Sequence, residues 1–395
     1  PIPDGRTMLL RDARLLSSTY DRTGDLRVVD GRIDAVGDLT PRADERCVDL
    51  DGRTLMPGLV DAHVHFSLSA ETTIESVLGM SEAELALVEA RNARKTLESG
   101  VTAVRAMGAS GVDLHLQRAV ERGDVPGPRM VANSRSITIT GGHGHHLGRE
   151  IDGPVDARTA VREQVKAGAD FIKFMTTGGV TTPGTDPDTV ALTDDELDAL
   201  VDETHRHGLH AATHVHGAEG AKAAALAGVD TIEHGTFLDE EAIELLVSRE
   251  VTLVPTLSAP YYIVRNVEWA TPDTARKTEH IYERHIESFA RAVEAGVTIA
   301  GGTDAGTPFN DHGANAAEVT FMLEHGLSPR GAITAMTETA ARTVGLDDCG
   351  TLREGAHADL LVVNGDPLED STRLNDPEAV LRGGELVSGF LPGAD

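Results

Sequence analysis

Two segments of this 395-residue chain carry histidines in His-x-His spacing: Asp61-Ala62-His63-Val64-His65 and His210-Ala211-Ala212-Thr213-His214-Val215-His216-Gly217. Both runs are β-rich, and residues two apart on a strand project from the same side. Each pair therefore sends two imidazoles toward one point, a disposition that suits a divalent cation. A third run, Asp170-Phe171-Ile172-Lys173-Phe174-Met175, sets one of only five lysines among apolar neighbours. Burial disfavours the ammonium form. A neutral Lys173 can act as a base, form a Schiff base, or take up carbon dioxide as a carbamate, in effect a carboxylate able to bridge two cations. The plain alternative is a lysine whose head escapes to solvent at the strand end. Glu233-His234-Gly235 and Gly301-Gly302-Thr303-Asp304-Ala305-Gly306 end two further runs. Asp304 can ligate a metal and can also take a proton from an attacking water. The loop Gly141-Gly142-His143-Gly144-His145-His146 sets His143 to donate a hydrogen bond to a substrate carbonyl, with His145 and His146 read as exposed.

These groups need a common frame. From about Thr54 onward, short β-rich runs alternate with Ala-, Glu- and Leu-rich stretches of helical period, the pattern of a parallel sheet. The strand candidates are 55–64, 101–107, 129–138, 170–176, 210–216, 231–234, 252–257 and 297–302. Helical stretches at 71–98, 157–167, 193–207, 218–227, 239–247, 275–295 and 328–344 follow most of them. Eight strand–helix repeats predict an α/β fold, a (β/α)8 TIM barrel, whose active face lies at the C-terminal ends of the strands. Every group named above falls on that face. Met8–Asp51 and the stretch from Ala358 differ, with short strands parted by turn signals such as Asp30-Gly31, Asp51-Gly52 and Gly383-Gly384. They predict that both chain ends pair into one small β-sandwich. The expected organisation is residues 1–56 and 347–395 as the two parts of that sandwich and 57–346 as the barrel. Cys47 and Cys349 are expected near the junction as buried small hydrophobes in a reduced protein. His205, His207, His280, His285, His325 and His357 fall on helices or in the small sheet and are expected at the surface.

Composition narrows the function classes. Lys+Arg number 35 against Asp+Glu 64, so the formal net charge is −29, which repels polyphosphates at long range and argues against a nucleic-acid partner. Such acidity fits either a high-salt habitat or compositional drift. No apolar run approaches the roughly 18 residues of a membrane span, and Pro1–Leu10 lacks the blocks of a signal peptide, so a cytoplasmic protein is expected. There is no Gly-Lys pair for a phosphate loop and no Gly-x-Ser-x-Gly elbow. Metal-assisted hydrolysis survives this screen.

The order of the groups, His-x-His on the first parallel strand, Lys on the fourth, His on the fifth and sixth and Asp on the eighth, resembles the amidohydrolase superfamily over nearly the whole chain. The run Arg53-Thr54-Leu55-Met56-Pro57-Gly58-Leu59-Val60-Asp61-Ala62-His63-Val64-His65 is similar to that family's first-strand motif. Gly355, Ala358-Asp359-Leu360-Leu361-Val362-Val363 and Gly365-Asp366-Pro367-Leu368 are similar to its C-terminal sandwich strand. The Gly-Gly-His-Gly loop and Thr231-Ile232-Glu233-His234-Gly235 most resemble the zinc prolidase and carboxypeptidase-like branch, which includes ochratoxin-type amidases.

The resemblance implies two divalent metal ions, zinc, with His63, His65 and Asp304 on one and His214 and His234 on the other. Carbamylated Lys173 and a hydroxide bridge them. Spacing alone leaves His214 and His216 equally placed, and the family pattern favours His214 as the ligand and His216 as a substrate contact. The implied reaction is hydrolysis of an amide C–N bond in a dipeptide, Xaa-Pro or carboxypeptidase-like, or in an N-acyl amino acid. His143 then polarises the carbonyl and Asp304 moves the proton. The segments Gly178–Pro187 and Ala259–Trp269, the latter with Tyr261 and Tyr262, are expected to choose the substrate, with Tyr261 a binding candidate. A rival enzyme reading is a mononuclear cyclic amidase or deaminase of the imidazolonepropionase type, with Lys173 unmodified. A rival of another class is an inactive binding homologue, against which the complete ligand set argues. A homo-oligomer is expected.

Overall fold

The computed structural model describes residues 7–278 and 281–392, and of the sites named above His280 lies outside them. Five strands open the chain: β1 (Thr7–Leu16), β2 (Asp21–Val29), β3 (Arg32–Gly37), β4 (Arg46–Asp49) and β5 (Thr54–Pro57). The parallel strands follow as β6 (Leu59–Val64), β7 (Val101–Ala106), β8 (Arg129–Ala132), β9 (Ile137–Ile139), β10 (Arg149–Ile151), β11 (Phe171–Met175), β12 (His210–Gly217), β13 (Thr231–Phe237) and β14 (Thr252–Val254). Three more, β15 (Leu360–Val363), β16 (Ala379–Arg382) and β17 (Glu385–Gly389), end the chain.

The two chain ends do pair. β15 runs antiparallel to β5, with Leu360 opposite Pro57 and Val363 opposite Thr54. The product is one continuous eight-stranded sheet in the order β17-β16-β15-β5-β1-β2-β3, with β4 beside β1, where two facing layers are expected. Its period-two alternation serves two cores at once. Leu360 and Val362 pack with Leu10, Leu26 and Leu55, whereas Leu361 and Val363 face the large core of the parallel strands. The sheet is therefore shared between two cores and does not stand off as a separate body. The buried Asp359 adds a polar tie, accepting from Arg129 at 2.6 and 3.1 Å and from the Gly383 amide at 2.7 Å.

The parallel strands form two sheets, β10-β9-β11-β12-β13-β14 and β6-β7-β8, and not one closed eight-stranded ladder. Two departures from the expected strands account for this. The run 129–138 is broken between Ala132 and Ile137, so its halves join different sheets. The run 297–302 is not a regular strand, because the Gly301 amide donates at 2.8 Å to Ala335 O on a helix while its neighbours make only single bridges. Those bridges still set the frame: Ala62 N to Gly301 O at 2.9 Å, Asp304 N to His63 O at 2.8 Å, His65 N to Ala305 O at 2.9 Å and Ala300 N to Leu253 O at 3.0 Å. They hold 299–305 between β6 and β14.

Helices cover the outer face, and their ends follow local signals. The helix Glu82–Glu98 starts at a Ser81 capping box, which divides the expected 71–98 stretch, and Asp194–Arg206 starts at a Thr193 capping box. Cys349 is buried, with its thiol pushed up to about 12 by desolvation, but Cys47 is exposed on β4, contrary to expectation. Its position belongs to the solvent side of a strand whose only buried residue is Val48.

Gly302 is where frame and site touch. A Cβ there would stand 2.6 Å from Val254 Cγ1 and 2.9 Å from His63 Cβ, both on packed strands. Gly302→Ala is expected to cost roughly 1–3 kcal/mol through overpacking. A urea midpoint equal to that of the unsubstituted protein would contradict this tight packing.

Candidate active site

The strand ends converge as the alternation requires. His63 on β6, His65 just beyond it and Asp304 in the 299–305 segment bring one ligand atom each within 4.8 Å of one another. Both imidazole Nε2 atoms lie 3.3 Å from Asp304 Oδ1. Lys173 on β11, His214 and His216 on β12 and His234 on β13 line the same cavity, which has a volume of about 240 Å³. Their rings are close: His214 to His234 at 4.6 Å between centroids, His216 stacked on His234 at 5.0 Å, and His63 to His234 at 5.3 Å.

Each ring is oriented by a bond on its far nitrogen. His63 Nδ1 donates to Glu233 Oε2 at 2.8 Å, and His65 Nδ1 donates to Gly108 O at 3.2 Å. Those bonds leave both Nε2 atoms as lone pairs aimed at the Asp304 carboxylate. Three acceptors facing one another repel unless a cation sits among them, so the donor set itself fits a metal ion. His214 Nε2 donates to Gly178 O at 3.1 Å, leaving Nδ1 free, while His216 Nδ1 and His234 Nδ1 bond Thr236 and Thr256 hydroxyls, each at 2.7 Å.

Burial governs the charge states. Desolvation pulls His65 and His216 down to about 3 and His143 to about 4, and with the neighbouring imidazoles it holds His214 and His234 well below the usual range. The rings are neutral near pH 7, the form that ligates. Lys173 is 1% exposed, and burial draws its ammonium down to about 8 against the through-space pull of Glu233 and Asp304.

Backbone strain sits at the same points. His234, Thr256 and Asp304 have φ of 73°, 52° and 59°, a region that non-glycine residues avoid. At His234 this turn breaks the strand alternation, so that Glu233 and His234, adjacent in sequence, both reach His63. Sequence reasoning missed Glu233 as the partner of His63 for that reason, and missed Arg105 because its contact with Glu233 is made across the fold. Arg105, fully buried, donates to Glu233 Oε1 at 2.8 Å, to Ala62 O at 2.7 Å and to Thr231 Oγ1 at 3.1 Å. Burial alone would raise the Glu233 carboxyl, but Arg105 and His63 outweigh it and hold it down to about 2. Asp61 completes the support, accepting from the His63 amide at 3.0 Å and from Thr303 Oγ1 at 2.6 Å.

The remaining candidates divide. His143 lines the cavity with its ring 4.4 Å from that of His214, and exposed His146 lies at the rim. Tyr261 does not line the cavity: its ring packs on Phe321 at 4.5 Å, while Ala259, Pro260 and Ile263 from the same segment form the wall. His285, expected at the surface, is buried in the cavity wall, and its Nε2 donates to the strained His234 carbonyl at 2.9 Å. Its helix, Ile281–Glu294, packs on β13, a tertiary contact that helical periodicity does not reveal.

A parallel α/β frame that gathers imidazoles, a carboxylate and a lysine at its strand ends is the arrangement of a hydrolytic enzyme. The chain belongs to the amidohydrolase family, whose model matches residues 54–393. The ochratoxinase of Aspergillus niger is 30% identical over 369 residues, covering 85% of this chain and 76% of the ochratoxinase. A crystal structure of a Xaa-Pro dipeptidase with bound methionine in the active site matches with a TM-score of 0.91 and 31% identity, over 96% of this chain and 99% of the dipeptidase. A prolidase complexed with N-methylphosphonate-L-proline matches with a TM-score of 0.91 and 28% identity, over 97% and 100% of the two chains. The protein is a hydrolase acting on carbon–nitrogen bonds.

Two outcomes follow from this electrostatic arrangement. Glu233→Gln removes the carboxylate that fixes the His63 tautomer, so titration should find metal binding roughly 10–100-fold weaker. An unchanged dissociation constant would remove Glu233 from this role. The second concerns the metal-free protein. His143, His285 and His312 are each drawn by burial to about 4, whereas unfolded imidazoles take a proton near 6.5. Between those values the unfolded state binds more protons. The contribution of these three rings to stability is therefore fully present above about pH 6.5 and falls toward pH 4, by roughly 1.4 kcal/mol per pH unit for each group. Urea midpoints that stay level from pH 7 to pH 5 would contradict it.

Proposed function

We propose that the protein hydrolyses the amide C–N bond of a small substrate, a dipeptide of Xaa-Pro or carboxypeptidase type or an N-acyl amino acid, with two zinc ions. His63, His65 and Asp304 would hold one ion, His214 and His234 the other, and Lys173, carbamylated, would join both. The observation that carries this reading is the convergence of two imidazole lone pairs on the Asp304 carboxylate beside buried Lys173. The names of the dipeptidase, prolidase and ochratoxinase relatives support the bond type.

The bound ions would supply Lewis-acid polarisation and an acidified water. The chain's own residues do the rest. Asp304 takes the water proton and returns it to the departing amine. His143 binds the substrate carbonyl oxygen. Thr182 Oγ1 already accepts from the Gly144 amide at 3.1 Å, so its hydroxyl proton is free for His143 Nδ1 at 2.9 Å. That assignment leaves a proton on His143 Nε2 for the carbonyl. His216, its Nδ1 on Thr236, offers Nε2 to the substrate carbonyl or carboxylate. A mononuclear cyclic amidase draws support from one feature: among the described residues only His63, His65 and Asp304 form a three-ligand group.

The test is a screen of zinc-loaded protein against dipeptides and N-acyl amino acids, followed by Asp304→Asn on the best substrate. The variant should keep most of its metal and lose on the order of 10²–10⁴-fold in kcat. Full turnover by the variant would remove Asp304 from proton transfer.

A further inference from the structure

The loop after β11 carries two of the site's hydrogen-bond partners. Gly178 O fixes His214, and Thr182 Oγ1 fixes His143. The loop also lies tight against what it holds. A Cβ on Gly179 would come within 2.4 Å of the His143 ring, and one on Gly178 within 2.2 Å of Asp186 O. Internally it is knotted by Thr185 Oγ1, which donates to Gly179 O at 3.1 Å or to Thr182 O at 3.0 Å.

What fastens this loop comes from across the cavity. On the helix Pro272–Thr278, the Lys277 side chain is 3% exposed, and its ammonium donates to Thr182 O at 2.8 Å and Gly179 O at 3.3 Å while pairing with Asp273 Oδ2 at 2.8 Å. Thr274 and Thr278 on that helix line the cavity, as do Val180, Thr181 and Thr182 on the loop. A buried ammonium is costly unless its donors are met, and here a carboxylate and two carbonyls meet them.

We propose that Lys277 is a positioning residue: it clamps the 178–185 loop to the 272–278 helix across the cavity and, through Thr182, sets the orientation and tautomer of His143. Lys277 touches no reacting atom. Its effect passes through a carbonyl, a threonine hydroxyl and an imidazole. The catalytic consequence rests on the proposed role of His143, whereas the clamp itself does not.

Lys277→Met and Lys277→Arg test it in the full chain. Hydrogen–deuterium exchange of 178–185 should rise about tenfold in the methionine variant, with β12 and β13 unchanged. The 15N imidazole signal of His143, assigned by loss in His143→Gln, should move toward a mixture of tautomers. Arginine, which keeps a cation there, should restore both in part. With a substrate in hand, kcat/KM should fall roughly tenfold in Lys277→Met at unchanged metal content. Unchanged exchange and an unmoved His143 signal overturn the proposal. So does exchange that rises throughout the chain without rescue by arginine, since that marks a merely structural lysine. Should Lys277→Met not fold, Lys277→Gln is read the same way. If the unsubstituted enzyme hydrolyses no member of the screen, the proposed function fails while the exchange comparison still decides the clamp.

Discussion

Imidazoles packed around one cavity cannot all be cations, and this constraint organises the site. Desolvation draws the proton off His65, His143, His214, His216 and His234, and a neutral imidazole has one donor and one acceptor nitrogen. The structure gives the donor nitrogen a fixed partner on the outside: Glu233 for His63, Gly108 O for His65 and Gly178 O for His214. The acceptor nitrogens are thereby turned inward. An inward-facing set of lone pairs beside a carboxylate has one stable complement, a cation. The Arg105–Glu233 pair matters because it keeps one of these outside partners ionised where burial alone would protonate it.

The frame makes that geometry affordable. Left-handed backbone at His234, Thr256 and Asp304 is costly for residues with side chains, and each is tied at once on several sides. Asp304 N bonds His63 O, His234 O receives His285, and Thr256 meets the His234 ring. The same ties explain why the parallel strands are not a single regular ladder. The 299–305 segment leaves strand geometry where Gly301 turns its amide to a helix, and within three residues it delivers Asp304 into the cavity.

Much of this was legible in the sequence because it depends on period two. His63 with His65, the apolar setting of Lys173 and the strand-end positions of His234 and Asp304 follow from alternation and from the end of a run. The pairing of the chain ends was legible for another reason, two β-rich ends flanking the parallel strands. What the sequence could not disclose has physical reasons. Glu233 shows no tie to His63 in the sequence, because that tie depends on a positive φ at the neighbouring His234. His285 reads as a surface residue until its helix is known to lie on β13. Tyr261 reads as a substrate contact until its ring is found on Phe321, and Cys47 reads as core until β4 turns it to solvent. Each is a tertiary fact that local pattern does not contain.

Metal stoichiometry by elemental analysis of zinc-loaded protein, with Lys173→Met alongside, decides between a paired and a single metal centre. Two zinc ions per chain are expected, with the second lost in Lys173→Met, the variant that cannot carry the proposed bridging carbamate. A single zinc ion, bound equally well in both proteins, would contradict the paired centre. The mononuclear reading would then stand in its place.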